Sequence, residues 1–163
     1  MNIEIRSDRR DDAFGIRRRV FMEEQGYKSE FDDVDDDARC IHVTLYADGE
    51  LAGCARVFPE PLERALVPDA PQSPASSLDG NIVPDGVYLL GRVAVLPEFR
   101  HRGLASVLVQ ESERAAQVAG ARFIKLHAQE NVQPLYAKQG FQPIAPVDYE
   151  DEGQPHVWMA KQL

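Results

Sequence analysis

The chain has 163 residues, of which 44 % are hydrophobic, and its formal net charge is −9 at pH 7. This length suits a single domain with its own core, and no apolar run approaches the ~20 residues that a membrane span requires. The negative charge disfavours nucleic acid and anionic membrane surfaces as partners and favours a cationic one. The first residues, Met-Asn-Ile-Glu-Ile-Arg, alternate in polarity and lack the apolar block of a signal peptide, so we expect a cytoplasmic protein.

The first predicted elements are a strand and a helix. Alternating polarity predicts the strand over residues 2–7. Asp8, Asp11 or Asp12 can cap the helix that follows, because an aspartate side chain satisfies a free amide of the first turn. The helix is predicted to run to about Gln25.

A β-hairpin and an acidic segment come next. The apolar runs Ile41–Ala47 and Leu51–Phe58 flank Asp48-Gly49, and Asp-Gly between two such runs is a strong hairpin signal. Ahead of the hairpin, residues 30–37 contain six acidic side chains in eight positions. This run fits a solvated loop, or a lid over the substrate site that attracts an amine.

The second half of the chain predicts alternating strands and helices after a long irregular excursion. Residues 59–84 are rich in proline and serine and form this excursion, with a short helix at Leu62–Leu66. Val87–Leu96 is predicted as a central strand and Leu104–Ala119 as an amphipathic helix. The remaining predicted elements are a strand at 122–128, a short helix at 132–139, a strand at 141–147 and a last strand around His156–Ala160.

This order of elements predicts one α/β (α+β) domain over residues 1–163, with helices on both faces of a mixed sheet. Parallel neighbouring strands need a right-handed helical crossover, and residues 93–128 supply one. No internal repeat and no second domain are apparent.

The cysteines and histidines give no sign of a metal site. Without a secretory signal, Cys40 and Cys54 are expected to be reduced and buried rather than joined in a disulfide. Neither has the CxxC spacing of a metal or redox site. The histidines are scattered and form no ligand pair; they are His42, His101, His127 and His156. We expect no bound metal.

The segment around Pro97 carries the strongest functional signal. Proline ends the central strand, and the basic turn Arg100-His101-Arg102 leads to Gly103, where the next helix begins. The first amides of a helix lack intrahelical partners and lie at the positive end of its dipole. We therefore expect a diphosphate-bearing ligand at residues 100–106, although an ordinary strand–turn–helix with a basic loop has the same pattern. The glycine patterns of Walker and Rossmann sites are absent, which disfavours ATP, GTP and NAD.

Two motifs make the chain similar to a known family. Arg100-x-x-Gly103-x-Ala105 resembles the Arg/Gln-x-x-Gly-x-Gly/Ala signature with which GCN5-related N-acetyltransferases bind the pyrophosphate of acetyl-CoA. Asn131, followed by Tyr136-x-x-x-Gly140-Phe141, resembles the second signature of that family. Within the family, residues 18–25 and 152–156 resemble the small bacterial ElaA-type members.

The resemblance implies an acetyl-CoA-dependent N-acetyltransferase and specific cofactor contacts. It implies that the strands at 87–96 and 122–128 splay apart and that the pantetheine arm lies between them. Free backbone groups of Val93 and Val95 would then bind this arm. The positions that match the family's cofactor site are Val93, Ala94, Val95, Arg100, His101, Arg102, Gly103, Leu104, Ala105, Ser106, Asn131 and Tyr136.

Acetyl transfer to an amine needs a base for the amine and an acid for the departing thiolate. At pH 7 roughly one lysine-like amine in a few thousand is neutral, so a base or desolvation must help. Tyr136 matches the acid of the family. Many members carry a carboxylate base on the central strand, where this chain has Gly91-Arg92, so Arg92 also makes an anionic or carboxylate-bearing acceptor conceivable. Glu24 is the replacement candidate for the base, and ordered water, His127 and His156 are the alternatives. Arg92, His127 and His156 are placed near the acceptor.

Two other functions stay open at this stage. Arg19-Val20-Phe21, the acidic segment and Arg56-Val57-Phe58-Pro59 loosely resemble acyl-homoserine-lactone synthases, although those enzymes generally lack the Arg100-x-x-Gly103-x-Ala105 turn. A CoA-binding sensor without catalysis is the second alternative, although Tyr136 and Asn131 argue against it. The expected acceptor is a small-molecule or peptide amine, and the resemblance makes a homodimer conceivable.

Overall fold

A computed structural model gives the structure of the protein and describes residues 1–83 and 85–163. The strands are β1 (Ile3–Arg6), β2 (Ile41–Ala47), β3 (Glu50–Pro59), β4 (Ser77–Leu78), β5 (Asn81–Ile82), β6 (Val87–Val95), β7 (Phe123–Gln129), β8 (Gln142–Pro143), β9 (Asp148–Asp151) and β10 (Gln154–Gln162). The α-helices are α1 (Arg10–Arg17), α2 (Glu60–Leu66), α3 (Leu104–Val118) and α4 (Gln133–Lys138). A π-helix (Arg18–Glu24) continues α1, and 3-10 turns occupy Asp33–Asp36, Pro97–Phe99 and Glu130–Val132.

Within the described residues, eight strands form one mixed sheet in the order β1–β2–β3–β6–β7–β10–β8, with β9 paired to β10. Among the described strands of this sheet, only β6 and β7 run parallel, and α3 is their crossover. Successive residues of a strand point to opposite faces. Ile16 of α1 lies in one cluster with Cys54, whereas Leu108 of α3 lies in another with Ala55, so the two helices cover opposite faces. The predicted mixed sheet with helices on both faces is confirmed.

The pairing of β6 with β7 ends partway along both strands. Val87–Leu90 pairs with Phe123–Leu126. Beyond these residues β6 continues to Val95 and β7 to Gln129, but the two strands no longer pair with each other. Where they part, the register of β6 against β3 shifts, and Arg92 adopts a left-handed conformation with a φ of 53°. Such a bulge bends a strand and increases its twist. The splayed strand pair implied by the resemblance is present.

The helix after β1 differs from the prediction at its start and in its geometry. Arg9 occupies the N-cap without a side-chain hydrogen bond, so the predicted aspartate cap is wrong. The nearest aspartate, Asp8, instead accepts a hydrogen bond from Arg6 at 2.7 Å. After Arg17 the helix widens into π geometry, and it ends at Glu24, one residue before the predicted end.

Short strands account for most of the other differences. The strand predicted at 141–147 is confined to Gln142–Pro143, and β9 was not predicted. Residues 59–84 contain the predicted short helix, as α2, and also the small β4–β5 hairpin, whereas Pro84 lies outside the described residues. In the part of the chain that the structure describes, no helix has the length and apolar character needed to cross a membrane.

The acidic segment 30–37 is built into the protein by arginines. Arg17 donates hydrogen bonds to Glu30 at 2.8 Å and to Asp35 at 2.7 Å. Arg56 donates to Asp32 at 2.7 Å and to Asp35 at 2.8 Å. Arg17, Arg56 and Asp35 are at most 3 % exposed. Because a buried guanidinium needs a carboxylate partner, these pairs fix the segment against α1 and β3. These pairs fix the segment, so the prediction of a solvated loop is wrong, whereas the alternative of a lid over the substrate site stays a prediction.

Replacing Asp35 tests how strongly this network stabilises the fold. Asp35→Asn leaves Arg17 and Arg56 buried with one carboxylate fewer, and we expect the free energy of unfolding to fall by about 3 kcal/mol. Urea denaturation at pH 7 measures this change. Asp8→Asn on the exposed surface is the control and should alter stability by no more than about 0.5 kcal/mol. A loss below about 1 kcal/mol for Asp35→Asn would contradict the assignment.

The network also predicts sensitivity to acid. Burial alone would raise the pKa of Asp35, but the hydrogen bond from Arg17 and the charge of Arg56 outweigh it and hold this pKa below its ordinary value. A carboxyl whose folded pKa is depressed stabilises the protein above its unfolded pKa, about 3.9, and loses that contribution as pH falls toward the folded pKa. We therefore expect the free energy of unfolding to decrease as the pH drops below about 4. The decrease per pH unit should be smaller in Asp35→Asn.

Candidate active site

The loop between β6 and α3 presents a row of free backbone amides. Pro97–Phe99 makes a 3-10 turn, and His101 and Gly103 adopt left-handed φ values of 65° and 76° just before Leu104 begins α3. Within the described residues, the amides of 101–106 have no hydrogen-bond acceptor. They lie at the positive end of a 15-residue helix, which favours an anion. A phosphate or pyrophosphate group fits this loop.

The side chain of Arg100 ties this loop to the rest of the protein. Its Nε donates to the carbonyl oxygen of Val95 at 2.9 Å, and its two Nη atoms donate to the carboxylate of Glu24 at 2.7 Å each. Arg19 and Glu98 form a second two-point pair at 2.6 and 2.7 Å. Two ion pairs therefore join the π-helix to the loop. The groups that the loop leaves free are its amides, not the Arg100 guanidinium.

The pairing with Arg100 changes the role that the geometry supports for Glu24. The hydrogen bond from Arg100 lowers the pKa of the Glu24 carboxyl, which makes it a weaker base at neutral pH. Glu24 also lies outside the lining of the two cavities that meet where β6 and β7 separate. The arrangement favours a positioning role for Glu24, which holds the loop through Arg100. It disfavours the role of general base that the sequence suggested.

A cleft of about 160 Å³ lies where β6 and β7 separate. Gly91–Val93 lines one side, Leu126 and His127 line the other, and Tyr136 of α4 completes it. Tyr136 is buried, and its hydroxyl has no hydrogen-bond partner among the residues that the structure describes. Burial raises the pKa of this hydroxyl, so the phenol keeps its proton at neutral pH. A protonated phenol facing the cleft is what a proton donor to sulfur requires.

Asn131 lies exposed in the 3-10 turn before α4. The N-cap of α4 is Val132, so Asn131 does not cap this helix. Asn131 instead lines an open surface pocket next to the cleft, together with Tyr27 and Gln129. This position is open to a bound cofactor arm.

The other residues matched to the cofactor site follow the strand and the helix. Val93 lines the cleft, whereas Ala94 points to the opposite face and packs beside α1. Residues 101–103 are exposed, Leu104 is buried beneath the start of α3, and residues 105–106 are half-buried. Of the strand and loop residues matched to the cofactor site, only Val93 lines the cleft.

A larger cavity of about 460 Å³ continues from the cleft. The two cavities share Leu90–Arg92 and Leu126–His127, so they meet where the strands separate. Around the larger cavity lie α2, the acidic segment, and Glu150–Glu152 at the end of β9 and the start of the turn that follows it. Its volume falls within the ~300–1,000 Å³ that small-molecule sites commonly occupy. An acceptor molecule fits here.

Arg92 lines both cavities, but its charge is already compensated. Its Nε lies 2.9 Å from the Glu30 carboxylate and its Nη2 lies 3.6 Å from that of Asp32. Both nitrogens also donate to the carbonyl oxygen of Glu30. Together with Arg17 and Arg56, Arg92 completes a cluster in which guanidiniums and carboxylates balance. The anionic acceptor that Arg92 suggested in the sequence therefore loses its support.

A carboxylate that the sequence did not single out faces the larger cavity. Glu63 of α2 has no ion-pair or hydrogen-bond partner for its side chain among the described residues, and burial raises its pKa to about 7. Asp69 and Glu150–Glu152 also line this cavity. Because the neighbouring arginines are balanced, the surplus charge of the cavity is negative. The sequence signal for Glu63 was only a glutamate on a short helix within the proline-rich excursion.

His127 lies at the junction of the two cavities. Its Nε2 is 2.9 and 3.0 Å from the carboxylate oxygens of Asp148, and its ring stacks on Trp158 at 4.4 Å and on His156 at 4.7 Å. Burial lowers the pKa of His127 and outweighs the opposing effect of Asp148. His156 lines only the smaller cavity, and its Nδ1 lies 2.9 Å from the carbonyl oxygen of Gln154. Asp148 was missed because β9 was missed.

One buried group in the described part of the chain has potential metal ligands. Atoms of Asp35, Cys40 and His42 lie within 4.8 Å of one another. Two guanidiniums already hold Asp35, and their charge disfavours a cation, while burial raises the pKa of the Cys40 thiol to about 12. Core packing accounts for this group better than a metal does. Cys40 and Cys54 are both free and buried, as predicted.

The amide loop suits a phosphate-bearing cofactor, and the cleft between the splayed strands opens into a cavity large enough for a second molecule, an arrangement that fits a group-transfer enzyme. The chain belongs to the GNAT family of acetyltransferases, whose family model matches residues 3–141. A Bacillus subtilis (strain 168) protein provisionally named as an acetyltransferase is 31 % identical over 153 residues, which cover 92 % of this chain and 87 % of that protein.

Solved structures with the same fold include Escherichia coli ElaA, with a TM-score of 0.73 at 22 % identity over 99 % of this chain and 100 % of that one. An aminoglycoside 6'-N-acetyltransferase complexed with coenzyme A has a TM-score of 0.66 at 16 % identity over 99 % of this chain and 97 % of that one. At these identities the likeness concerns the fold. The family resemblance found in the sequence is confirmed, and ElaA is among the proteins that share this architecture.

A charge placed in the amide loop should impair cofactor binding. Gly103→Asp brings a carboxylate to the start of α3, where it competes with a phosphate group, and we expect at least a tenfold loss of acetyl-CoA affinity, or ~1.4 kcal/mol. Isothermal titration calorimetry measures it. Gly80→Asp is the matched control, because the φ of Gly80 is 79° and that of Gly103 is 76°, and both glycines have open space where a side chain would begin. Equal losses in the two variants would mean that the loop does not bind the cofactor.

Proposed function

We propose that the protein transfers the acetyl group of acetyl-CoA to a primary amine of a small-molecule acceptor. The observation that carries this proposal is the junction of the two cavities at Leu90–Arg92 and Leu126–His127. A cofactor arm in the cleft and an acceptor in the larger cavity would meet there. The aminoglycoside enzyme of the same fold, complexed with coenzyme A, supports the use of an acyl-CoA.

The free amides of residues 101–106 would hold the pyrophosphate, and the unpaired edge of β6 at Val93 would hold the arm. Bound acetyl-CoA supplies an acetyl group activated as a thioester. A backbone amide of the splayed strand can polarise the thioester carbonyl, as oxyanion-hole donors do.

Tyr136 would donate its phenolic proton to the sulfur as the carbon–sulfur bond breaks. Its position in the lining of the cleft and its protonated state at neutral pH support this role. Because a phenol is a weaker acid than a thiol, the transfer depends on close positioning.

The charge of the larger cavity supports an amine acceptor. Arg17, Arg56 and Arg92 are balanced by the carboxylates of the acidic segment, whereas Glu63 is not paired among the described residues. With a pKa of about 7, Glu63 is partly protonated at neutral pH in the free protein, and a ligand that brings a positive charge favours its ionised form. An acceptor with a second ammonium group, distant from the reacting one, suits this cavity better than a carboxylate-bearing acceptor.

Two measurements test the proposed function. Calorimetry with acetyl-CoA tests the cofactor, and thiol release tests transfer to a panel of pentylamine, cadaverine, the ω-amino acid of the same length and a short lysine peptide. We expect acetyl-CoA to bind and cadaverine to be acetylated fastest. If acetyl-CoA does not bind, or if thiol release produces no acetylated amine, the proposal is wrong.

Tyr136→Phe tests the acid. The variant keeps the packing of the ring but has no proton to donate, so we expect kcat to fall at least ~100-fold while the Kd for acetyl-CoA changes little. Steady-state thiol release and calorimetry on the same preparation separate the two effects. An unchanged kcat would rule out Tyr136 as the acid.

Glu63→Gln tests acceptor recognition. Removing this charge should raise the KM for cadaverine about tenfold, or ~1.4 kcal/mol, and should affect the KM for pentylamine less, because that amine has no second cation. Glu4→Gln, on the exposed edge strand β1, is the matched control. Equal changes of KM for the two amines would show that Glu63 does not recognise the second cation.

A further inference from the structure

We infer that His127 is the general base of this transfer and that Asp148 positions it, an inference that rests on the proposed N-acetyltransferase function. The base must lie where the amine meets the thioester, which is the junction of the two cavities. The titratable side chains shared by both linings, within the described residues, are Arg92, His127 and Asp151. Arg92 is a paired guanidinium with no acceptor atom. Asp151 is 35 % exposed and faces His156 at 3.7 Å.

The hydrogen bond to Asp148 determines which ring nitrogen of His127 is available. An ionised carboxylate only accepts hydrogen bonds, so Nε2, at 2.9 and 3.0 Å from its oxygens, carries the proton. Nδ1 then holds the lone pair. It has no hydrogen-bond partner in the described part of the chain and is not among the atoms sealed from solvent. The lone pair is therefore free to take a proton from a molecule in the cavity.

Both members of the pair are held in place. Trp158 and His156 of β10 stack on the His127 ring, and Trp158 lies directly opposite it in the β7–β10 pairing. Asp148 pairs with His156 across β9 and β10, and its Oδ1 accepts a hydrogen bond from the Glu150 amide at 3.2 Å. This restraint keeps the imidazole in one orientation, as a positioned base requires.

The surroundings of His127 keep it neutral at physiological pH. Burial is the largest influence and lowers its pKa, while the hydrogen bond and charge of Asp148 oppose it. Asp148 and Asp151 of β9 and His156 of β10 act on the ring directly. The other charged or titratable groups that line the cavities it borders include Arg92, Tyr136, Asp32, Glu63, Asp69, Glu150 and Glu152. A neutral imidazole can accept a proton, whereas a protonated one cannot.

The protons balance across the two sides of the reaction. His127 takes one proton from the amine nitrogen as that nitrogen forms its bond to the acetyl carbon. The carbon–sulfur bond breaks, and the sulfur receives the proton of Tyr136. His127 then releases its proton and Tyr136 regains one through solvent, so the products are the N-acetylated amine and free CoA thiol. An acceptor that arrives as an ammonium ion releases one further proton to solvent.

Nuclear magnetic resonance of the histidine side chains tests the pair without any acceptor. Long-range ¹H–¹⁵N spectra, assigned with His127→Gln, should show His127 neutral at pH 7, protonated on Nε2, with a pKa below the ordinary value of about 6.5. Asp148→Asn should remove the fixed tautomer, whereas the matched variant Asp151→Asn should keep it. A His127 that is charged at pH 7, or that is protonated on Nδ1 in the unmodified protein, overturns the inference whatever the activity of the enzyme.

The pH dependence of transfer to pentylamine, which lacks the second cation that Glu63 would bind, tests catalysis. kcat/KM of the unmodified enzyme should fall as pH drops through the pKa of His127. His127→Gln should lose this limb and at least ~100-fold in kcat at pH 7, with acetyl-CoA affinity within about twofold. Asp148→Asn should move the limb to lower pH, because removing the carboxylate lowers the pKa of His127.

The outcomes separate the inference from the proposed function. Full kcat in His127→Gln overturns the inference and leaves the acetyltransferase function standing. If the acidic limb of the pH profile is at the same pH in Asp148→Asn as in the unmodified enzyme, the positioning role of Asp148 is overturned. If His127→Gln does not fold, the Asp148→Asn profile alone tests the inference. Absence of transfer to every amine by the unmodified enzyme overturns both.

Discussion

The separation of β6 from β7 beyond Leu90 is the feature on which the rest of the site depends. Paired parallel strands would use their backbone groups on each other and leave no room between them. Where they part, polar backbone groups need other partners, and an extended ligand arm can supply them. The separation begins at Arg92, whose left-handed φ of 53° is unfavourable for a residue with a side chain by roughly 1–2 kcal/mol. The ion pairs with Glu30 and Asp32 hold the Arg92 side chain in this position.

The buried charges shape the acceptor side. Arg17 and Arg56 lie almost fully buried, and such guanidiniums persist only with carboxylates beside them. The acidic segment supplies those carboxylates, so it becomes a wall of the larger cavity rather than a solvated loop. Because the positive charges are compensated within this wall, the remaining carboxylates, Glu63 among them, determine the sign of the cavity. The result is an acidic cavity next to buried arginines.

The proposed chemistry needs one region that binds an anion and another that binds a cation. The amide loop at the start of α3 suits a diphosphate because the helix dipole and the free amides act together. The acidic cavity suits an ammonium ion, and it meets the cleft at Leu90–Arg92 and Leu126–His127. Tyr136 and His127 line that cleft, with their pKa values shifted by burial so that the phenol keeps its proton and the imidazole lacks one. A donor and an acceptor of protons are thereby available at neutral pH.

Local patterns in the sequence predicted much of the fold. Asp48-Gly49 predicted the β2–β3 hairpin, and the apolar stripe of Leu104–Ala119 predicted α3, because turn chemistry and helical periodicity depend on neighbouring residues. The signatures ending at Ala105 and Phe141 predicted the family. Short strands such as β9 were missed, since four residues with three acids among them carry no strand pattern.

The sequence by itself determined the order of the main elements, the amide loop and the family, and the tertiary structure alone decided the partners of the charged side chains. Glu24 was a candidate base until Arg100, 76 positions away, was found to hold it. Arg92 was a free cation until Glu30, 62 positions away, compensated it. His127 was one histidine among several until Asp148 oriented it. A sequence shows that a residue can carry charge, but the strength of that charge as an acid, base or ligand depends on neighbours that only folding brings within hydrogen-bond distance.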